Sequence, residues 1–424
     1  MMASVVVAGM RASGDGYQNA DVTIRTLREH GVADIVDLGR KLPPDAHLWK
    51  LVRAGTGWGS RLRLAWMLFA GNLISATRAL PAAWRAGAIV YLPYPAIPML
   101  LILRCVPLRW RPRCVADAFI SIWDSTFNDR ATGASSGLAS TLVKAIESFA
   151  LRAAWRVIVD TEANRDLLIE TMGLSRGAVI SLPLGTVAMH RADRGSCAGG
   201  PMRVLFVGTF IPLHGIETII EAIKMLSSHP GIVFELVGDG QEAARLAAAS
   251  EWAGADNVTW TRDWLSMPRI AAKIAEADVC LGVFGGAAKA SRVLPFKVYH
   301  ALSAGKVVVT QAAMSLPEGL PPLPCVPVCE VSTPQAARAL ADALCALEAD
   351  LERRKALGHE AARYFDTYLS SGALAARWTA LLADDTRGAG ACGDSKPWRR
   401  DRSASTGCRW AGRVTAGTPS VHLP

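Results

Sequence analysis

Short aliphatic runs alternate along the chain with longer segments whose apolar residues recur at three- and four-residue intervals. The first runs are Ser4–Ala8, Ala33–Leu38, Ile89–Leu92, Cys114–Ala116 and Arg156–Val159. Each is short and followed by a loop and a helix-like segment, of which Asn19–His30 is the first. That alternation predicts buried parallel strands with helices packed on both faces of a sheet. A polar, glycine-rich stretch, HRADRGSCAGGP, then breaks the periodicity. The pattern restarts with Arg203–Val207, and Ile216, Ile219, Ile220, Ile223 and Leu226 mark one apolar helical face. Further runs follow at Ile232–Val237, Val258–Trp260, Val279–Val283 and Val307–Thr310. The segment Pro295–Ala304 has proline at its start and Gly305 just past its end, as a helix does. A long helical region opens at Thr333 and runs to about Ala383. The fold class is therefore α/β, with two Rossmann-like doubly wound domains over residues 1–185 and 202–383. Residues 186–201 read as a linker, and residues 384–424, without periodicity, as a disordered basic tail.

Charge changes this picture in one place. The net charge of +9 is uneven: no Asp or Glu lies between Asp45 and Asp117, a stretch that holds ten Lys or Arg residues and five Trp. Basic residues mixed with Trp and long apolar runs suit an anionic lipid surface, and RLRLAWMLFAGNLISATRAL is the segment expected to lie in it. An ordinary apolar core with basic surface residues is the other reading. After Asp385 seven basic residues stand against two acidic ones. Nucleic acid is not an expected partner, because the basic stretch is apolar and no nucleic-acid motif accompanies it. Gly87–Val106 contains Pro93, Pro95 and Pro98, so it reads as a strand, a loop and a short helix rather than a membrane span. The nine cysteines are scattered without framework spacing, which fits a reducing, cytoplasmic compartment. Met1–Met10 reads as a first strand.

The densest chemistry lies between residues 278 and 310. A strand ends near Phe284, a Gly-Gly loop follows, and Lys289, Arg292 and Lys297 cluster at the start of a helix. Cations at a helix N-terminus are unfavourable unless an anion lies between, and the backbone N–H groups there bind phosphate. Lys289, Arg292 and Lys297 are thus expected to hold a diphosphate and to stabilise charge developing on it as it departs. Asp160 and Thr161 read as a helix cap. Trp260 and Trp264 read as packing residues. The eight histidines show no metal spacing, and no Asp-x-Asp follows a strand, so no obligatory metal or cofactor is expected.

The segments VLFVGTFIPLHGIETIIEAIKML, FELVGDGQE and KASRVLPFKVYHALSAGKVVV occur in the order and spacing of a known family. The second half resembles the glycosyl transferases group 1 family, the retaining family 4 glycosyltransferases of GT-B fold. The first half resembles it less specifically, through VADAFISIWDSTFNDR and RVIVDTEANRDLL. The resemblance implies two domains facing a central cleft, with a UDP- or GDP-sugar donor on the second and the acceptor on the first. It places Gly208 and Thr209 against the donor phosphates and Gly238, Asp239 and Gly240 near the nucleotide base. The family's paired glutamates are replaced here by Arg292 and His300, and its Lys-Gly by His214-Gly215. His300 retains one hydrogen bond for a ribose hydroxyl, and His214 joins the donor set. Asp117, at the end of a strand, is expected to contact the acceptor or donor sugar, with Asp124 second; Asp117 also reads as a structural cap. The resemblance implies a retaining transfer in which the leaving diphosphate takes the acceptor proton.

Three functions follow. One is a glycosyltransferase peripheral to the inner face of the plasma membrane, acting on a lipid-linked or polysaccharide acceptor. The others are a nucleotide-sugar epimerase of the same fold and a non-catalytic binding protein, the last favoured by Arg292 and His300.

Overall fold

The computed structural model describes residues 2–14, 16–43, 46, 51, 57–129, 137–191, 200–243, 257–286, 289–328 and 333–388. Two six-stranded sheets, every pairing parallel, form the centres of two α/β halves. The first contains β1 (Ala3–Val7), β3 (Ala33–Asp37), β5 (Ile89–Leu92), β6 (Cys114–Asp117), β7 (Arg156–Val159) and β8 (Val179–Ser181), in the order β3-β1-β5-β6-β7-β8, while β2 (Met10–Arg11) and β4 (Arg40–Lys41) pair with each other as a separate two-stranded sheet. The second runs β11-β10-β9-β12-β13-β14, from β9 (Met202–Val207), β10 (Ile232–Val237), β11 (Val258–Thr261), β12 (Val279–Leu281), β13 (Val307–Gln311) and β14 (Val326–Val328). Strand order therefore reverses between β1 and β5 in one sheet and between β9 and β12 in the other. Open α/β sheets bind ligands at the carboxyl ends beside such reversals.

The short Val- and Ile-rich runs become strands because both sheet faces are covered. Val5, Val6 and Val7 are buried, as are Val307, Val308 and Val309. Each such side chain contributes about 1.5–3 kcal/mol when fully removed from water. The predicted helix over 295–304 is observed as Phe296–Ser303 with Pro295 at its N-cap. The predicted strand at 279–283 ends at Leu281, freeing the glycines after it for a loop.

The chain crosses between the halves through residues 184–191. Leu184 N donates to Tyr299 Oη (3.2 Å), Gly185 N to Asn19 Oδ1 (2.6 Å) and Met189 N to Ser303 Oγ (3.0 Å). Residues 192–199 of the expected linker lie outside the described residues. Three C-terminal helices, Thr333–Ala349, Leu351–Tyr364 and Ser371–Gly388, then lead back, and Trp378 meets Tyr91 of β5 edge to face at 5.1 Å. The last helix extends to Gly388, into the segment expected to be disordered; residues 389–424 of that tail lie outside the described residues. A second unit begins at Leu381, and its described part is the end of this helix.

After the first helix, α1 (Asn19–Glu29), the acid-free segment forms one long helix, α2 (Trp58–Ala86), followed after β5 by α3 (Ile97–Arg104). One face of α2 packs inward through Leu64, Leu68, Ala76 and Ala79. The opposite stripe, Trp58, Leu62, Trp66, Phe69 and Leu73, faces outward, with Trp58 78% and Trp66 69% exposed. A second helix, α4 (Leu138–Leu151), turns Leu138, Leu142, Ile146 and Phe149 outward as well. Among the described residues no helix is long and apolar enough to cross a membrane.

Candidate active site

Two cavities lie where the strand ends of the halves meet. The larger, about 590 Å³, is lined by Gly208, Thr209 and His214 from the loop after β9, by Lys297 and His300, and by Trp264. From the first half it takes Gly14, Gly16, Tyr17 and Ile120. The smaller, about 310 Å³, is lined by Asp124, Asp160, Asn164 and Lys289 among polar residues and by Tyr94 and Phe119. Tyr17, Ile120, Thr209, Pro295 and Phe296 line both, so the two spaces are neighbours.

Lys297 is the unusual group. The Phe296–Ser303 helix carries it inward, where its ammonium sits 3.9 Å from the Phe206 ring centroid and has no hydrogen-bond partner. Burial holds its pKa well below the ordinary lysine value. His214 lies in the same place, with its ring edge toward Phe206 and Nδ1 without a partner. Burial first, and the Lys297 charge second, hold its pKa well below the usual value. Gly208 makes room for both: a Cβ there would stand 2.7 Å from Lys297 Nζ and 2.9 Å from His214 Cε1. A buried cation without a counter-ion is costly, so the hole is matched to an anion entering from the cavity.

Sequence and structure disagree on the other two cations. Lys289 and Arg292 were expected to share the diphosphate with Lys297, yet neither lines the larger cavity. Arg292 Nη2 bonds Asp124 Oδ1 at 2.7 Å, and Lys289 Nζ lies 3.6 Å from Asp124 Oδ2. A carboxylate from the first half therefore already pairs with both of them. Thr161, whose hydroxyl also caps the Glu162–Met172 helix, donates to the Arg292 carbonyl.

Asp117 is also reassigned. It lines neither cavity and accepts from Asn19 Nδ2 (2.6 Å), Tyr91 Oη (3.3 Å) and Phe119 N (3.3 Å). Burial raises its pKa to about 7. It ties the strand ends together, as a structural aspartate does. The turn Gly238–Gly240 packs on the backbone of the loop after β9 rather than lining a cavity. A Cβ on Gly238 (φ 128°) would collide with the Gly208 carbonyl oxygen. Asp239 pairs with Arg262 (3.0 Å). His300 does line the larger cavity, but its Nε2 accepts from the Gln18 amide at 3.0 Å, an interaction across the halves. Burial lowers its pKa to about 4, which keeps it neutral for that role. That nitrogen, on a residue expected to meet a ribose, is engaged by Gln18.

Trp260 stacks on Phe210 at 5.7 Å, as expected of a packing residue, whereas Trp264 is exposed at the larger cavity. Asp160, read from sequence as a cap, is a buried wall residue of the smaller cavity. Its Oδ1 accepts from Asn164 Nδ2 at 2.7 Å, and burial raises its pKa to about 6. Glu147 gave no sequence signal: from within α4 it accepts from Ile122 N, Trp123 N and Ser121 Oγ, fixing the loop that delivers Asp124. Among the described residues no group of three or more His, Cys, Asp or Glu is arranged to hold a metal.

Residues 201–350 match the family described as Glycosyl transferases group 1. No curated protein matches the chain by sequence. Among solved structures, Anabaena Alr3699/HepE in complex with UDP is similar at TM-score 0.59 and 12% identity, over 90% of this chain and 100% of that one. A glycosyltransferase from Rickettsia africae ESF-5 is similar at TM-score 0.56 and 10% identity, over 91% of this chain and 100% of that one. A third, a point mutant of S. aureus TarM in complex with Fondaparinux, alpha-GlcNAc-glycerol and UDP, aligns at TM-score 0.51 and 12% identity. It is matched over 74% of this chain, which spans 59% of the TarM length.

Proposed function

We propose that the protein transfers a sugar from a nucleotide-sugar donor to a hydroxyl acceptor, a reading supported by the match of residues 201–350 to the glycosyl transferases group 1 family and by the GT-B fold of the chain. The observation that carries the reading is the buried, unpartnered Lys297 ammonium on the wall of the larger cavity. The donor diphosphate fits this hole, with Lys297, His214, Gly208 and Thr209 around it. UDP-sugars are the favoured donor class, since HepE and TarM were both solved with UDP. The exposed Trp264 supplies an aromatic face for the base at the same cavity.

In the transfer, the bond between the sugar's anomeric carbon and the diphosphate oxygen breaks, and a bond from that carbon to the acceptor oxygen forms. The acceptor oxygen attacks from the face the diphosphate leaves and gives that diphosphate its proton, so configuration is retained. Lys297 stabilises the charge that collects on the diphosphate, a service worth roughly 3–4 kcal/mol for one well-placed donor. That cation takes the place of a metal, and the reaction proceeds in EDTA.

The acceptor is lipid-linked, and the protein works at the inner face of the membrane. The outward stripes of α2 and α4 support this, together with the arginines among them. Arg61 lies 5.8 Å from the Trp58 ring, Arg109 4.6 Å from Trp110 and Arg104 4.4 Å from Phe149. Cations beside aromatic side chains suit an anionic interface. The free thiols of Cys105, Cys114, Cys280, Cys325 and Cys345 fit a reducing compartment.

The test is binding and slow hydrolysis of UDP-, GDP- and ADP-sugars by wild type and Lys297→Ala, with and without EDTA. Selective turnover that survives EDTA and is lost in the variant is expected. No binding of any nucleotide sugar overturns the reading.

A further inference from the structure

The smaller cavity remains after the donor has been placed. Its aromatic side is a connected cluster: Tyr94 stacks on Tyr17 at 6.0 Å and meets Phe119 edge to face at 5.3 Å. Its polar side holds Asp160 and Asn164, which bond each other at 2.7 Å. A largely apolar pocket with a few fixed polar groups is the usual form of a small-molecule site. A pyranose has one face of C–H groups and a rim of hydroxyls, so it matches an aromatic wall opposite a carboxylate.

Charge narrows the choice. Lys289 and Arg292 share Asp124, and Asp160 lies within the electrostatic reach of Lys289. The two cations near this pocket thus already face carboxylates of the protein, Asp124 and Asp160, before anything binds. An anionic sugar would bring a buried charge without a partner, which is strongly unfavourable. Contact with the larger cavity through Thr209 and Phe296 puts an occupant beside the sugar end of the donor.

We propose that the smaller cavity holds one uncharged sugar residue of the acceptor, with the Asp160 carboxylate accepting a hydrogen bond from one of its hydroxyls and Tyr94 and Phe119 covering its C–H face. This rests on the transferase reading, and it names the acceptor class as a neutral glycoside.

The test is saturation-transfer NMR on full-length protein, with and without saturating UDP. The probes are octyl β-glucoside, octyl β-galactoside, octyl α-mannoside and octyl β-glucuronide. At least one neutral glycoside binds, and the glucuronide binds at least tenfold more weakly. Asp160→Asn weakens the neutral glycoside at least tenfold while UDP affinity stays within twofold. Tyr94→Leu, a milder change should Asp160→Asn fail to fold, weakens it at least threefold. Equal binding of the glucuronide, equal binding by the variants, or no binding of any neutral glycoside overturns the assignment. Failure of UDP to bind while glycosides still do strikes the transferase reading alone.

Discussion

The two halves have the same architecture and opposite electrostatics at corresponding places. Just past β1, Arg11 is buried and fully engaged: Nε bonds Asp21 at 3.0 Å, and Nη1 and Nη2 bond Asp37 at 3.0 Å. The amides beside it are satisfied by α2, Gly9 N by Ser75 Oγ and Met10 N by Asn72 Oδ1. Beside the loop after β9, the Lys297 ammonium is buried against the Phe206 ring and has no hydrogen-bond partner. One cation is satisfied within the fold, and the other is the group proposed to meet the donor diphosphate. A doubly wound sheet offers a ligand place in each half; whether it is used depends on whether the chain supplies the counter-charge itself.

The largest effects come from exchanging these cations for apolar residues. Lys297→Met removes a charge that the fold does not neutralise, so UDP affinity drops about 30–100-fold, the equivalent of ~2–3 kcal/mol. Its Tm stays level or rises, since an apolar residue replaces an unpaired charge. Arg11→Met does the reverse. It strands two partly exposed carboxylates, costs about 1–3 kcal/mol and lowers Tm by about 5 °C while UDP affinity holds. Calorimetric titration and thermal melts read both, and equal Tm losses in the two variants would erase the contrast.

A smaller effect separates the halves by surface. Leu62→Glu, Trp66→Glu and Phe69→Glu together place three negative charges on the outward stripe of α2. Co-sedimentation with anionic vesicles at low salt falls about tenfold, while UDP affinity is unchanged, because the proposed lipid contact lies on the first half and the proposed donor site beside the loop after β9. Retained co-sedimentation would move the membrane contact elsewhere.

The smallest effect concerns pH. Burial raises Glu147 to about 7, against the ordinary carboxylate range of about 4 in the unfolded chain. A raised carboxylate stabilises the fold fully below the unfolded value, and that contribution is lost as pH rises toward 7. His214 and His300, both lowered by burial, act in the opposite direction, so the wild-type profile mixes the two. The comparison with Glu147→Gln isolates the carboxylate. Between pH 4.5 and 7.5 the wild type loses Tm relative to the variant, by about 5 °C. A constant difference would mean that Glu147 does not titrate in that range.

Most of the fold was legible because parallel strands covered on both faces appear as short continuous aliphatic runs. Lys297 was legible because a cation beside a proline-capped helix start is a local feature. Its neighbours Lys289 and Arg292 looked identical in sequence, and their fate was decided by Asp124, more than 160 residues away. Asp160 had the local signature of a cap, a role that Thr161 fills, and nothing nearby in sequence marks it as a cavity wall. The stripes on α2 and α4 have ordinary core periodicity, and only the packed structure shows which face is left outside.

The chain passes between the halves twice, at residues 184–191 and again before Trp378 reaches Tyr91. Parting the halves therefore means parting both crossings together with the side-chain contacts between them, Asp124 to Arg292, Gln18 to His300 and Ser315 to Ala163 among them, so the seam is held by many small ties rather than by one.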